Sequence, residues 1–179
     1  MKVSFEDNSI TFKTYPFWCS SVKKNQQVRA TDIASIQPSH RPLEIILQTS
    51  EILFLPTEAQ QELVNFATRN NIPPTDYSDV WSIIQTEFLD TEFTPFDQQC
   101  THRLLGEYGI DLDEFEKIKL RIGKRVSFDN FFRWEWVHLG HFDMLQANLR
   151  FRFPHSDTFK KLYWDSMEIA RRASRFPNI

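Results

Sequence analysis

Apolar and polar residues alternate along the first 55 positions of the chain, and the period then changes. Val3-Ser4-Phe5 and Ile10-Thr11-Phe12 alternate on either side of Asp7 and Asn8. That pattern predicts a hairpin, because successive side chains of a strand point to opposite faces. Further short apolar runs over 27–30, 33–36, 43–47 and 52–55 are each bounded by polar residues or proline. The last two are separated by residues 48–51, a length that suits a hairpin loop, and Pro56 closes the final strand. Thr57 and Gln60 then have the spacing of a capping box, in which the two side chains satisfy free backbone N–H groups. Ala59, Leu63, Phe66 and Ala67 follow at helical spacing, with Asn70 and Asn71 as the stop.

Pro73 and Pro74 disfavour helix and ordered sheet alike, and everything after them reads helical. Asp79 caps a helix with Trp81, Ile84 and Phe88 on one face. Thr94 and Pro95 open another, which ends at Gly109. Asp111 and Glu114 form a capping box beside an Ile110–Phe115 staple, and place Leu112, Phe115, Ile118, Ile122 and Val126 inward. Ser127 is expected to cap the next helix, over 128–149. Pro154 breaks the pattern, and Ser156 or Asp157 starts a last helix reaching about residue 173. The expected fold is α+β. A small antiparallel sheet or partial barrel closed by one helix occupies 1–72, a proline-containing linker 73–78, and a bundle of about five helices 79–179.

The order Thr31-Asp32-Ile33-Ala34-Ser35-Ile36, then 43–47, then 52–55, then the helix from Thr57, resembles the second half of a bacterial pleckstrin-homology-like domain. The resemblance covers residues 1–72 as a pattern of elements. It implies a curved sheet closed by a helix, with recognition of a protein or a lipid headgroup. The basic residues of the first strands are limited to Lys13, Lys23 and Lys24, which directs the expectation toward a protein partner.

Composition narrows the chemistry. The four glycines form no phosphate-cradling loop and no nucleophile elbow. Cys19 and Cys100 form no C-x-x-C pair, so reduced thiols and a cytoplasmic setting are expected. The N-terminus shows no continuous apolar stretch of the secretory kind, and no run of about 18 apolar residues predicts a membrane span. The net charge of −3 is spread unevenly: −1 over 1–78, −6 over 79–148 and +4 over 149–179.

Candidate chemistry concentrates in the predicted 128–149 helix. At about 100° per residue, Glu135 and His138 fall within an apolar arc, bracketed by Trp134 and Trp136. Burying such groups is costly unless they are paired or ligate a metal. A Glu-x-x-His step is a metal-ligand spacing in helical bundles, and Asp90 and Glu92 are the carboxylates available to complete it. The same four residues Trp134, Glu135, Trp136 and His138 also read as a structural polar network that fixes helix docking. Arg150, Arg152, Lys160, Lys161, Arg171, Arg172 and Arg175 alternate with aromatic residues, as a patch for an anionic lipid or nucleic acid would. The leading expectation is a non-catalytic binding or regulatory protein, with no cofactor, whose pleckstrin-homology-like and helical parts present one composite surface to a protein partner. A metal-dependent enzyme and an adaptor working through the basic tail are the alternatives.

Overall fold

Alternation in the first residues folds as it predicts. In the computed structural model, which describes residues 1–89, 94–133, 140–151 and 156–174, β1 (Lys2–Phe5) pairs antiparallel with β2 (Ser9–Thr14). A short helix α1 (Val22–Asn25) precedes β3 (Gln27–Arg29), which pairs antiparallel with the other side of β2. A second antiparallel sheet has the order β4 (Ile33–Gln37), β5 (Leu43–Leu47), β6 (Ile52–Leu55). Helices α2 (Gln60–Arg69), α3 (Val80–Leu89), α4 (Pro95–Glu107), α5 (Leu112–Arg133), α6 (His141–Phe151) and α7 (Asp157–Ser174) follow. The protein is thus α+β, with two three-stranded antiparallel sheets ahead of the long helices. No helix among the described residues is long and apolar enough to cross a membrane.

The chain groups into two compact units. One comprises Met1–Tyr77 with Tyr163–Glu168 of α7, and the other Ser78–Leu162 with the residues of α7 from Ile169. In the first unit the core is aromatic. Rings run from Phe12 to Tyr15 (5.4 Å between centroids), Phe17 (5.7 Å) and Phe54 (6.0 Å), with Tyr163 5.6 Å from Phe17. Edge-on contacts of this kind add to the burial of the rings, which dominates the energetics of such a core. Leu63 and Phe66 of α2 are fully buried, and Phe66 meets Phe5 of β1 at 5.8 Å. In the second unit Trp81, Ile84, Phe115, Ile122, Met144, Leu145 and Phe159 are buried.

Two predicted helix starts are corrected. Thr57 makes no side-chain cap; residues Thr57–Ala59 form a 3-10 turn and α2 begins at Gln60. Gln60 instead donates to the Pro38 carbonyl (3.1 Å) and accepts from Arg41 (3.0 Å), so its side chain is drawn away from the helix terminus. Ser127 starts no new helix, because it lies inside α5, which runs unbroken from Leu112 to Arg133. A serine ends a helix only if its side chain competes for backbone N–H groups, and no proline or paired glycine interrupts the helix there. The next helix starts at His141, after Gly140. Elsewhere the caps form as expected. Thr94 and Asp97 close a capping box with Pro95 at the first helical position, and those hydrogen bonds from Thr94 hold the Asp97 carboxyl below the usual range. Asp111 accepts from the Glu114 N–H at 2.8 Å.

Candidate functional site

Buried acids are the most demanding groups in the first unit, and each is met by donors from distant parts of the sequence. Glu51, with no exposed surface, accepts the Tyr163 hydroxyl at 2.6 Å and the Ser21 N–H at 3.2 and 3.3 Å. Tyr15 accepts the Phe54 N–H at 3.2 Å, and its hydroxyl meets that of Tyr163. Burial, more than the nearby Glu51 carboxylate, pushes the pKa of both tyrosines upward, so both stay protonated. Glu44, only 4% exposed on β5, accepts the Tyr77 hydroxyl at 2.7 Å and lies 3.2 Å from Nδ1 of His40. Nε2 of His40 is 2.8 Å from the Tyr77 carbonyl, so the ring sits between two acceptors. These groups hold elements together: Glu51 ties α7 to the β5–β6 turn, and Glu44 ties Tyr77 to β5.

The sheet edges divide unequally. The Leu47 N–H donates to the Glu51 carbonyl at 2.9 Å, and antiparallel ladders alternate, so the N–H groups of Ile52 and Phe54 face away from β5. Both are satisfied by side chains: Ile52 donates to the Met167 sulfur (3.4 Å) and Phe54 to the Tyr15 hydroxyl (3.2 Å). On the opposite edge of the same sheet, Ile36 donates to the Pro73 carbonyl (3.1 Å) and accepts from the Thr75 N–H (2.8 Å). The segment carrying Pro73 and Pro74 therefore lies along β4 and seals it.

The first sheet has no such seals. The Glu6 N–H bonds to the Ser9 carbonyl (2.9 Å), which turns the Val3 and Phe5 N–H groups outward. Across the sheet, Phe12 donates to Gln26 (2.6 Å) and Ala30 to Asn8 (2.8 Å), which turns Gln27 and Arg29 outward. None of these four outward N–H groups has a partner among the described residues.

In the second unit Asp79 serves two helix starts. Its carboxylate accepts the Trp81 N–H of α3 and the His141 N–H of α6, both at 2.9 Å. The negative charge thus meets the positive ends of two helix dipoles. His141 is buried and stacks on Trp81, with 5.8 Å between the ring centroids. Gln85 donates to the carbonyls of Trp81 (3.0 Å) and Gly140 (3.1 Å).

Most of the candidates drawn from the sequence fall elsewhere. Glu135, His138, Trp134, Trp136, Asp90 and Glu92 lie outside the described residues. No cluster of three or more His, Cys, Asp or Glu able to hold a metal occurs among the described residues. Of the basic tail, Arg172 forms a bidentate pair with Glu114 (2.7 and 2.8 Å) and donates to the Gly109 carbonyl (3.1 Å). Lys160 and Lys161 are exposed and Arg171 is half-buried. The side chain of Arg150, and Arg152 and Arg175 altogether, lie outside the described residues. Sequence reasoning passed over Glu44 and Glu51. For Glu44 a signal existed, a lone acid inside the apolar run of β5; Glu51 reads as an ordinary turn residue. Comparison of the chain with protein-family models, curated proteins and solved structures finds no match.

Proposed function

We propose that this chain is a non-catalytic binding or regulatory protein whose first unit acts as a pleckstrin-homology-like module and takes a protein partner by strand addition to its first sheet. One observation carries the reading: both edges of the second sheet are closed by the chain itself, whereas both edges of the first keep outward N–H groups without partners among the described residues. An unpaired edge offers main-chain donors and acceptors to an extended segment of another protein. The resemblance to pleckstrin-homology-like domains implies one curved sheet closed by a helix; the strands here divide into two antiparallel sheets, and the order of strands followed by α2 is what supports the module's assignment. A cytoplasmic setting accords with Cys19 and Cys100, neither of which forms a disulfide.

Site-specific photo-crosslinking in the native cell tests the proposal. A crosslinker at Ser4 or Gln27 is expected to capture a protein partner. Proline at Val3 or Arg29 removes an outward N–H and leaves the ladder bonds in place, so capture at the substituted edge should be lost. A partner captured only through positions on α4 or α5, and indifferent to both prolines, would overturn the proposal.

A further inference from the structure

We infer that the occupant of the β3 edge is an acidic, extended segment of a partner protein. The inference rests on the strand-addition reading and specifies which edge is used and by what chemistry. The two open edges are not equivalent. The β1–β2 ladder is irregular beside Lys2 and Val3, where Lys13 of β2 is the extra residue, and a bulge of this kind twists the edge away from pairing. Its far end is occupied by α2: Phe66 packs on Phe5, Asn70 donates to the Asp7 carbonyl (3.0 Å) and Arg69 lies 3.7 Å from the Asp7 carboxylate. β3 has neither obstacle. Gln27 and Arg29 are exposed on either side of the buried Val28, and Lys23 to Gln26 leading into the strand are exposed as well.

Charge selects the partner. Lys13, Lys23, Lys24 and Arg29 are all exposed around this edge, and the Arg29 side chain retains 73% of its accessible surface. The acids nearby are Glu6, Asp7 and Asp32, and Asp7 already faces Arg69 of α2 at 3.7 Å. Glu6 is within hydrogen-bond reach of Ser9, Thr11 and Gln27, and Asp32 pairs with Arg29 at 3.2 Å on the open surface. Positive charge is therefore in excess, and an exposed pair such as Arg29–Asp32 exchanges readily for another acid. β3 is only three residues long and presents two outward N–H groups. The main chain can set the register of an incoming strand, while the flanking cations supply selectivity and encounter rate. Binding of this kind is weak and falls with salt, because the charges are exposed.

The test uses the full chain and two fluorescent eight-residue peptides: one alternates glutamate with threonine and valine, and the other carries lysine in place of glutamate. Fluorescence anisotropy should show the acidic peptide binding at least about tenfold more tightly than the basic one, with the difference shrinking at high salt. Backbone amide shifts should centre on Gln27 and Arg29. Arg29→Ala removes charge alone, while Arg29→Pro also removes the outward N–H. With φ at −80°, Arg29 already has a backbone that proline accepts. Arg29→Pro should therefore bind more weakly than Arg29→Ala, with unchanged thermal unfolding. Equal affinities for the two peptides, or equal binding by the two variants, would overturn the inference. A basic peptide shifting the Gln27 and Arg29 amides would overturn the acidic assignment and leave strand addition standing. Silence at both edges with both peptides, together with cross-links indifferent to the prolines, would remove both.

Discussion

Glu51 shows how much rests on a single hydroxyl. The carboxylate has no exposed surface, and its side-chain donor is Tyr163 at 2.6 Å. Tyr163→Phe keeps the ring contacts and strips that donor, which should cost about 2 kcal/mol, the usual range for a hydrogen bond to a charged group. Urea unfolding of the two proteins measures it, and equal midpoints would show that Glu51 does not depend on the hydroxyl. Alkaline pH probes the same group. Burial raises the Tyr15 and Tyr163 pKa in the folded state, so above about pH 10 the unfolded chain loses these protons first. The stabilisation is full below the unfolded tyrosine pKa and declines as pH rises toward the folded value. Stability should thus fall steadily as pH rises above about 10, and less steeply in Tyr15→Phe and Tyr163→Phe. A slope unchanged by both substitutions would assign the loss to other groups.

Among elements, the start of α6 is set by a residue with no side chain. A Cβ on Gly140 would lie 2.5 Å from Oδ2 of Asp79, the atom that accepts the His141 N–H. Gly140→Ala should therefore push the shared carboxylate off at least one helix terminus and cost about 1–3 kcal/mol. Gly106 in α4 has nothing within 4 Å of the same added atom, so Gly106→Ala should be neutral or stabilise by up to about 1 kcal/mol. Thermal unfolding compares the pair, and similar losses at both sites would argue against the Asp79 bridge. This bridge also marks how far sequence could go. The Asp79 cap on α3 was legible because its partner Trp81 lies two residues away, as were the Thr94–Pro95 and Asp111 caps. Its second role was not, since His141 is 62 positions distant. Strand positions were readable from alternation, but the Thr57 box and the Ser127 cap were local signals overruled by tertiary partners and by helix continuity. Glu44 and Glu51 depend on tyrosines 33 and 112 residues away, a pairing that no spacing announces.

For the whole molecule, chain order and spatial order disagree. Residues Tyr163–Glu168 belong to the compact unit that begins at Met1. A fragment of residues 1–77 lacks Tyr163 and Met167, so it leaves Glu51 without its hydroxyl and the Ile52 N–H without its acceptor. Such a fragment should melt earlier than the full chain and bind a hydrophobic dye, and a synthetic peptide of residues 157–174 should reverse both changes. Circular dichroism and dye fluorescence provide the readouts, and a fragment as stable as the full chain would refute the dependence. The Met167 contact has a consequence in time as well as in space. It joins positions 115 residues apart, so at roughly 5–20 residues per second a ribosome needs about 6–23 s to make the second after the first. Throughout that interval the nascent chain carries Ile52-Leu53-Phe54-Leu55 as an apolar strand whose Ile52 N–H still waits for its acceptor. Until the last helix arrives, that strand carries the aggregation hazard of an apolar segment waiting for its partner.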